Sequence, residues 1–136
     1  MAGLPVPETV EGMDLSAVFR GEQAEFERDA LITCPGPFHQ WGFPEGGREY
    51  RGIRTDRYTY VWALNGPRLL YDNQMDPYQM DNLVNRPEHA DLQARLEVRL
   101  QRKLRERNDE FKPAQYYMDL WNYEWTGRDL TWHQER

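Results

Sequence analysis

Apolar and polar side chains alternate most clearly in the segment YTYVWAL, which begins at Tyr58. Period-two alternation places successive side chains on opposite faces of a strand, and aromatic and β-branched residues suit a pleated surface. The segment therefore predicts a strand over residues 58–64. The Asn65-Gly66 pair that follows is a preferred hairpin turn, with Pro67 extending the loop. We expect the chain to return antiparallel over residues 68–71.

Two shorter extended segments precede this hairpin. Residues 30–33 (ALIT) predict a short buried strand, and an extended pattern resumes over residues 52–55 (GIRT). The intervening stretch, CPGPFHQWGFPEGGREY, holds three prolines and four glycines. That content is typical of a loop rather than of long regular structure. The chain thus predicts a small antiparallel sheet interrupted by one long loop.

A different period appears after Pro87. Leucine recurs every fourth position over residues 92–104, which is the spacing of one face of an α-helix. Ala94 and Val98 widen this apolar face. Pro87 is placed to open the helix, where its missing N–H costs nothing, and the helix should end near Asn108.

The two ends of the chain lack the clear periodicity of the middle. The first residues, rich in Pro and Gly, predict a linker, followed by a short helix between Asp14 and Gly21. The apolar stripe of that helix would be Leu15, Val18 and Phe19.

The tail is aromatic and irregular, although Pro113 is placed to start a short helix with Tyr117, Leu120 and Trp121 on one face. We therefore expect three parts: a linker with a short helix over residues 1–29, an α+β subdomain over 30–110, and the aromatic tail over 111–136.

Composition changes this picture in one respect. Charged residues make up 29% of the chain and the mean hydropathy is −0.95, yet aromatic residues reach 13%. Many large rings on a polar chain predict a thin domain with an apolar face that a partner or a second copy covers.

The net charge of −6 disfavours a nucleic-acid partner. No apolar run approaches the ~20 residues that cross a bilayer.

Few residues suit catalysis or metal binding. Cys34 would need a depressed pKa and a nearby base such as His39, whereas a free cysteine at a strand end is more often simply buried. The three histidines lack the spacing of metal ligands. Asp72, Asp76 and Asp81 do not fit a calcium-binding loop, and aspartates more often cap turns. We predict neither a catalytic nor a metal residue.

The long loop carries the best candidates for a ligand contact. His39, Trp41, Phe43 and Tyr50 offer flat rings that suit a sugar or aryl group, although such rings often only pin a loop to the body. With the nearby guanidinium of Arg48, the candidate substrate-cleft residues are His39, Trp41 and Arg48.

Motifs in a fixed order resemble the C-terminal subdomain of the sulfatase family, within the alkaline-phosphatase-like superfamily. The sequence AGLPVP, from Ala2, is similar to a passage that follows the family's catalytic domain. RGIRTDRYTY, from Arg51, is similar to its strand pair, and LYD…DP…NL, from Leu70, is similar to its Asp-rich turn. Thr59 replaces the common lysine, and Gln79-Met80 departs from the usual acidic or small residues.

The resemblance implies an α+β fold. It implies a small antiparallel sheet of about four strands, with the long C-terminal helix packed on one face. A whole sulfatase hydrolyses sulfuric esters with a formylglycine and a divalent cation, usually calcium; both would lie upstream of the residues present here. Cys34 cannot supply the formylglycine of the Cys/Ser-x-Pro-x-Arg motif, because Gly36 and Phe38 replace its Pro and Arg.

Three functions stay open on the sequence. The first is a structural and cleft-shaping C-terminal domain of a sulfatase, without its own catalytic centre, whose partner is the missing catalytic domain or a homo-oligomer. The second is a free-standing binding module for a sulfated sugar or aryl ligand. The third, which we rank last, is a small enzyme that uses Cys34 and His39.

Overall fold

The main sheet is an antiparallel meander. A computed structural model describes residues 7–10, 12, 14–22, 28–37, 42, 46–125 and 130–132. Each strand of its four-stranded sheet pairs with its neighbour in sequence, in the order β1-β2-β3-β4. The strands are β1 (Ala30–Cys34), β2 (Tyr50–Arg54), β3 (Tyr58–Ala63) and β4 (Gly66–Asp72). The predicted small antiparallel sheet is therefore confirmed.

Three helices and a short hairpin complete the described chain. The long helix begins with a 3-10 turn at Pro87–His89, as the placement of Pro87 predicted. None of the described helices is long and apolar enough to cross a membrane. The helices are α1 (Ser16–Phe19), α2 (Ala90–Glu106) and α3 (Ala114–Leu120), and the hairpin is β5 (Tyr123–Trp125) with β6 (Leu130–Trp132).

Helix α2 packs on one face of the sheet and forms the core. Its buried leucines meet one residue from each of β2, β3 and β4, and all six side chains are at most 4% exposed. Burying a leucine of this kind contributes about 1.5–3 kcal/mol. The core residues are Ile53, Tyr60, Leu70, Leu96, Leu100 and Leu104.

The predicted apolar face of α2 is wrong at Ala94 and Val98, which are both exposed. Val98 is 68% exposed. It lies two residues from both Leu96 and Leu100, which is more than half a turn around a helix of 3.6 residues per turn. Its side chain therefore leaves the opposite face from the leucines.

The β3–β4 hairpin turns one residue earlier than predicted. The turn residues are Leu64 and Asn65, and Gly66 already pairs with Ala63 as the first residue of β4. A register shift between Val61 and Trp62 then places Trp62 opposite Pro67. A proline is tolerated there because β4 is an edge strand.

The outer edge of β4 is closed by the turn that follows it. The Leu70 N–H donates to Asn82 Oδ1 at 2.9 Å, and the Leu83 N–H donates to the Leu70 carbonyl at 2.8 Å. Asn82 Nδ2 also donates to the Arg68 carbonyl at 3.1 Å. Backbone groups that an edge strand would leave unpaired are thus occupied along this stretch.

The predicted N-terminal helix is present but short. Asp14 Oδ1 accepts a hydrogen bond from the Ser16 N–H at 2.8 Å, and Gly21 takes the left-handed conformation (φ +74°) expected after a helix. The predicted apolar stripe does not pack, since Phe19 is 81% exposed and Val18 43%. Four helical residues make only one turn, which is too short to bury a continuous face.

Candidate functional site

The structure describes one of the three predicted cleft residues. Arg48 is exposed, and its Nη1 donates to the Gly47 carbonyl at 2.6 Å. His39 and Trp41 lie outside the described residues, as does Phe43. The grouping of His39, Trp41 and Arg48 therefore stays a prediction.

Two adjoining clefts lie between the end of β1 and helix α3. Their volumes are about 460 and 690 Å³, and both fall in the range of about 300–1,000 Å³ that ligand pockets occupy. Tyr117 and Trp121 line both clefts, and their rings are stacked, with centroids 5.2 Å apart and planes 29° apart. Thr33 and Pro35 complete the shared wall.

The two clefts differ in chemistry. Charged and amide side chains line the smaller cleft, whereas the lining of the larger one has no charged residue; the predicted aromatic residue Tyr50 lines the larger one. Further residues of the smaller cleft include Arg51, Asn108, Asp109, Glu110, Lys112 and Tyr116. Those of the larger cleft include Cys34, Gly36, Ala114, Met118 and Tyr123.

A buried arginine connects the sheet to the chain beyond α2. Arg51 is 2% exposed, and its Nη2 donates to Asp109 Oδ1 at 3.2 Å and to the Tyr117 hydroxyl at 2.9 Å. Its guanidinium also lies 4.8 Å from the centre of the Phe111 ring. Burial raises the pKa of Asp109, but hydrogen bonds from Arg51 and the Phe111 N–H outweigh it, so that pKa lies below its ordinary value.

A second buried polar contact fixes the start of α3. Glu49 is 7% exposed, and its Oε1 accepts a hydrogen bond from the Ala114 N–H at 2.8 Å. The first amides of a helix have no partner within the helix, so a carboxylate there stabilises the helix end. Residues 109–121, which we call the α3 segment, are thus held by Glu49 and Arg51 on either side of Tyr50.

Sequence reasoning missed this arrangement. The predicted apolar face of the tail helix was Tyr117, Leu120 and Trp121, but Leu120 is 61% exposed and Trp121 48%. The buried side chains of α3 are Ala114 and Met118. The contacts of Glu49 with Ala114 and of Arg51 with Tyr117 determine which face of α3 is buried. The spacing of residues within the helix does not predict these contacts.

The environment of Cys34 opposes a nucleophilic role. Burial raises the pKa of the Cys34 thiol, Glu49 raises it further, and the charge of Arg51 only partly offsets these effects. A thiol with a raised pKa stays protonated near neutral pH, whereas the thiolate is the nucleophile. The raised pKa of Cys34 thus does not support the hypothesis of a small enzyme that uses Cys34 and His39.

The Asp-rich turn after β4 uses its carboxylates for hydrogen bonds. Asp72 accepts from Arg57 and from the Gln74 N–H, and Asp76 accepts from the Asp81 N–H. The hydrogen bond from Arg57 is the main cause that lowers the pKa of Asp72. These aspartates lie where the sequence predicted turn-capping residues.

Solved proteins share the fold of this chain. A solved 2-O GAG sulfatase has this fold with a TM-score of 0.66 at 22% identity, over 80% of this chain and 23% of its own. A second solved protein, in complex with its substrate D-glucosamine-2-N,6-O-disulfate, has a TM-score of 0.65 at 24% identity, over 82% of this chain and 23% of its own.

The sequence comparisons give the family. The family model described as N-sulphoglucosamine sulphohydrolase, C-terminal, matches residues 1–109, and the chain belongs to this family. The ulvan-active sulfatase of Formosa agariphila is 40% identical over 123 residues, which cover 90% of this chain and 24% of that protein. The chain therefore spans about a quarter of the length of its curated relative. The match to the family model ends where the α3 segment begins.

Neither the described residues nor the sequence around Cys34 fits the groups that the family uses for catalysis. Within the described ranges, no group of three or more His, Cys, Asp or Glu side chains could hold a metal ion. Cys34 lacks the proline and arginine that the formylglycine motif requires, since Gly36 and Phe38 stand at those positions.

Proposed function

We propose that the chain completes a sulfatase by docking on its catalytic domain and by shaping one side of the substrate cleft, without a catalytic centre of its own. The observation that carries this proposal is the share of the relatives that the chain covers: 24% of the ulvan-active sulfatase and 23% of each solved relative. The formylglycine and the divalent cation would be supplied by the other three-quarters of the enzyme.

The substrate of the completed enzyme is proposed to be a sulfated saccharide. The relatives act on ulvan, on GAG chains or on a glucosamine disulfate, according to their descriptions. His39, Trp41 and Arg48 are the residues proposed to face that substrate. An arginine offers several N–H donors to a sulfate oxygen, and flat rings pack against the face of a sugar.

Reconstitution tests the proposal. The chain is mixed with the F. agariphila ulvan-active sulfatase truncated to remove its matching C-terminal quarter, and sulfate release from ulvan oligosaccharides is measured. We expect the mixture to be active and each component alone to be inactive. Sulfate release by the purified chain alone, or no gain in the mixture beyond that with serum albumin, would overturn the proposal.

Variants of the loop test its finer part. In the reconstituted enzyme, Arg48→Ala should raise KM about tenfold with little change in kcat, because a uniform binding contact is removed. His39→Ala and Trp41→Ala should act in the same direction. Arg95→Ala, on the exposed side of α2, is the matched control and should leave KM unchanged. An unchanged KM in all three loop variants would remove these residues from the cleft.

A further inference from the structure

Two aromatic side chains of the α3 segment remain half-exposed in a concave site. Trp121 and Tyr116 are each 48% exposed, and both line the smaller cleft. Trp121 is held by stacking on Tyr117, whose hydroxyl is fixed by Arg51 and accepts from the Lys112 N–H at 3.2 Å. The indole is thus a supported, flat apolar surface that is open to solvent on one side. Such surfaces suit the C–H face of a sugar ring.

The rim of the same cleft offers both donors and acceptors. Asn108, Glu110 and Lys112 line it, and the Lys112 and Glu110 side chains are 43% and 71% exposed. An amide, a carboxylate and an ammonium together match the mixed donor and acceptor pattern of vicinal hydroxyl groups. The volume of about 460 Å³ admits a small polar ligand.

The charges of the cleft discriminate between a neutral and an anionic ligand. Arg51 is paired with Asp109, and Lys112 lies 2.8 Å from Glu110. The two cations and two anions cancel, so the lining carries no net positive charge. A sulfate group would have to displace a carboxylate from its cation, in a chain whose net charge is already −6. An uncharged sugar unit needs no such exchange.

We propose that the cleft beside Trp121 binds an uncharged pyranose unit of a saccharide, stacked on the indole and hydrogen-bonded to Asn108, Glu110 and Lys112. The proposal deepens the proposed function and rests on its assignment of a saccharide substrate. It adds that the chain recognises the unsulfated part of the polymer. Of these four residues, all but Asn108 lie beyond the 109 residues that the family model matches.

Binding is tested with the 136-residue chain and ulvan oligosaccharides, either native or made uncharged by desulfation and carboxyl reduction. The indole signals in NMR spectra report the titration. We expect the uncharged form to bind at least as tightly as the native form and to shift the Trp121 signal. Trp121→Ala should weaken binding about tenfold, and Glu110→Gln, which leaves the stacked rings in place, about threefold.

Tyr78→Ala is the matched control, because Tyr78 is an 85% exposed aromatic residue in the Asp-rich turn after β4. It should bind like the wild type. Circular dichroism verifies that each variant is folded. The proposal is overturned if neither form binds, if only the native form binds, or if Trp121→Ala and Glu110→Gln both keep full affinity. Reconstituted sulfate release is measured separately on the wild-type chain, so its failure is distinguishable from a loss of binding here.

Discussion

The sheet–helix core and the α3 segment are held to the same strand, β2, by different kinds of contact. In the core, Ile53 of β2 packs among apolar side chains that are at most 4% exposed. In the α3 segment, Arg51 of the same strand makes an ion pair with Asp109 and a hydrogen bond to Tyr117. Apolar burial is insensitive to pH, whereas a carboxylate pair depends on ionisation. The core should therefore persist under conditions that release the α3 segment.

The largest expected effect comes from the core. Leu100 is fully buried, and Leu100→Ala should lower the free energy of unfolding by about 4 kcal/mol because it removes apolar contacts and leaves a cavity. Urea denaturation followed by circular dichroism measures the change. Val98→Ala, on the exposed face of the same helix, should change it by less than about 0.5 kcal/mol. Equal losses in the two variants would contradict the described core.

Replacing Arg51, which holds the α3 segment, should lower the free energy of unfolding by a smaller amount. Arg51→Met should lower the free energy of unfolding by about 3 kcal/mol, the lower end of the range for breaking a buried ion pair. The lower end is expected because Asp109 still accepts hydrogen bonds from the Phe111 N–H and the Tyr117 hydroxyl. Hydrogen exchange by mass spectrometry should show faster exchange over residues 110–121 than over residues 92–104.

Arg57→Met is the control for that variant. Arg57 also pairs with an aspartate, Asp72, but its side chain is 47% exposed, so the loss should stay below about 1 kcal/mol. If Arg51→Met accelerates exchange equally in α2 and in the α3 segment, the two regions unfold as one unit and the contrast between them disappears.

Steric crowding within the sheet gives the next effect. A Cβ added at Gly52 would lie 2.9 Å from the Tyr60 carbonyl oxygen and 3.2 Å from Val61 Cγ2. Gly52→Ala should therefore cost about 2 kcal/mol, measured by the shift of the thermal midpoint. Gly12→Ala meets no atom within 4 Å and should leave the midpoint nearly unchanged. A neutral Gly52→Ala would show that β2 and β3 are further apart than described.

The smallest effect is the pH dependence of the α3 segment. The pKa of Asp109 is lowered in the folded chain, so its contribution to stability is full above the unfolded pKa of about 3.9 and is lost as pH falls through the folded pKa. The NMR signal of the Trp121 indole should shift as pH falls below the unfolded pKa and through the lowered pKa of Asp109, while α2 signals stay in place. Asp109→Asn should abolish this shift, and its persistence in that variant would assign the transition to another carboxyl group.

The parts of the fold that were predictable are those with strong local periodicity. The alternation beginning at Tyr58 and the leucines over residues 92–104 each identify an element without reference to the rest of the chain. The turn at Leu64–Asn65 was not predictable, because it depends on the register shift between Val61 and Trp62. Register belongs to the pairing of two strands and not to either strand alone.

The candidate site was less predictable than the fold. A helix after Pro113 follows from local sequence, but its rotation depends on Glu49 and Arg51, which lie 58 or more residues away from their partners. A single sequence carries no signal for such distant pairs. The composition of the aromatic loop alone made it a candidate for ligand binding. Trp121 became a candidate ligand contact only from its exposure and its stacking on Tyr117.

The closed outer edge of β4 has a consequence for association. Sheets grow into ordered aggregates when an incoming strand finds unpaired backbone groups on an edge. At β4 the side chain of Asn82 and the backbone of Leu83 occupy such groups at Arg68 and Leu70, and Pro67 has no N–H to donate. We therefore expect an added strand to pair with β1, at the other edge of the sheet, and not with β4. Substitutions meant to suppress aggregation through this sheet should first be made in Ala30–Cys34.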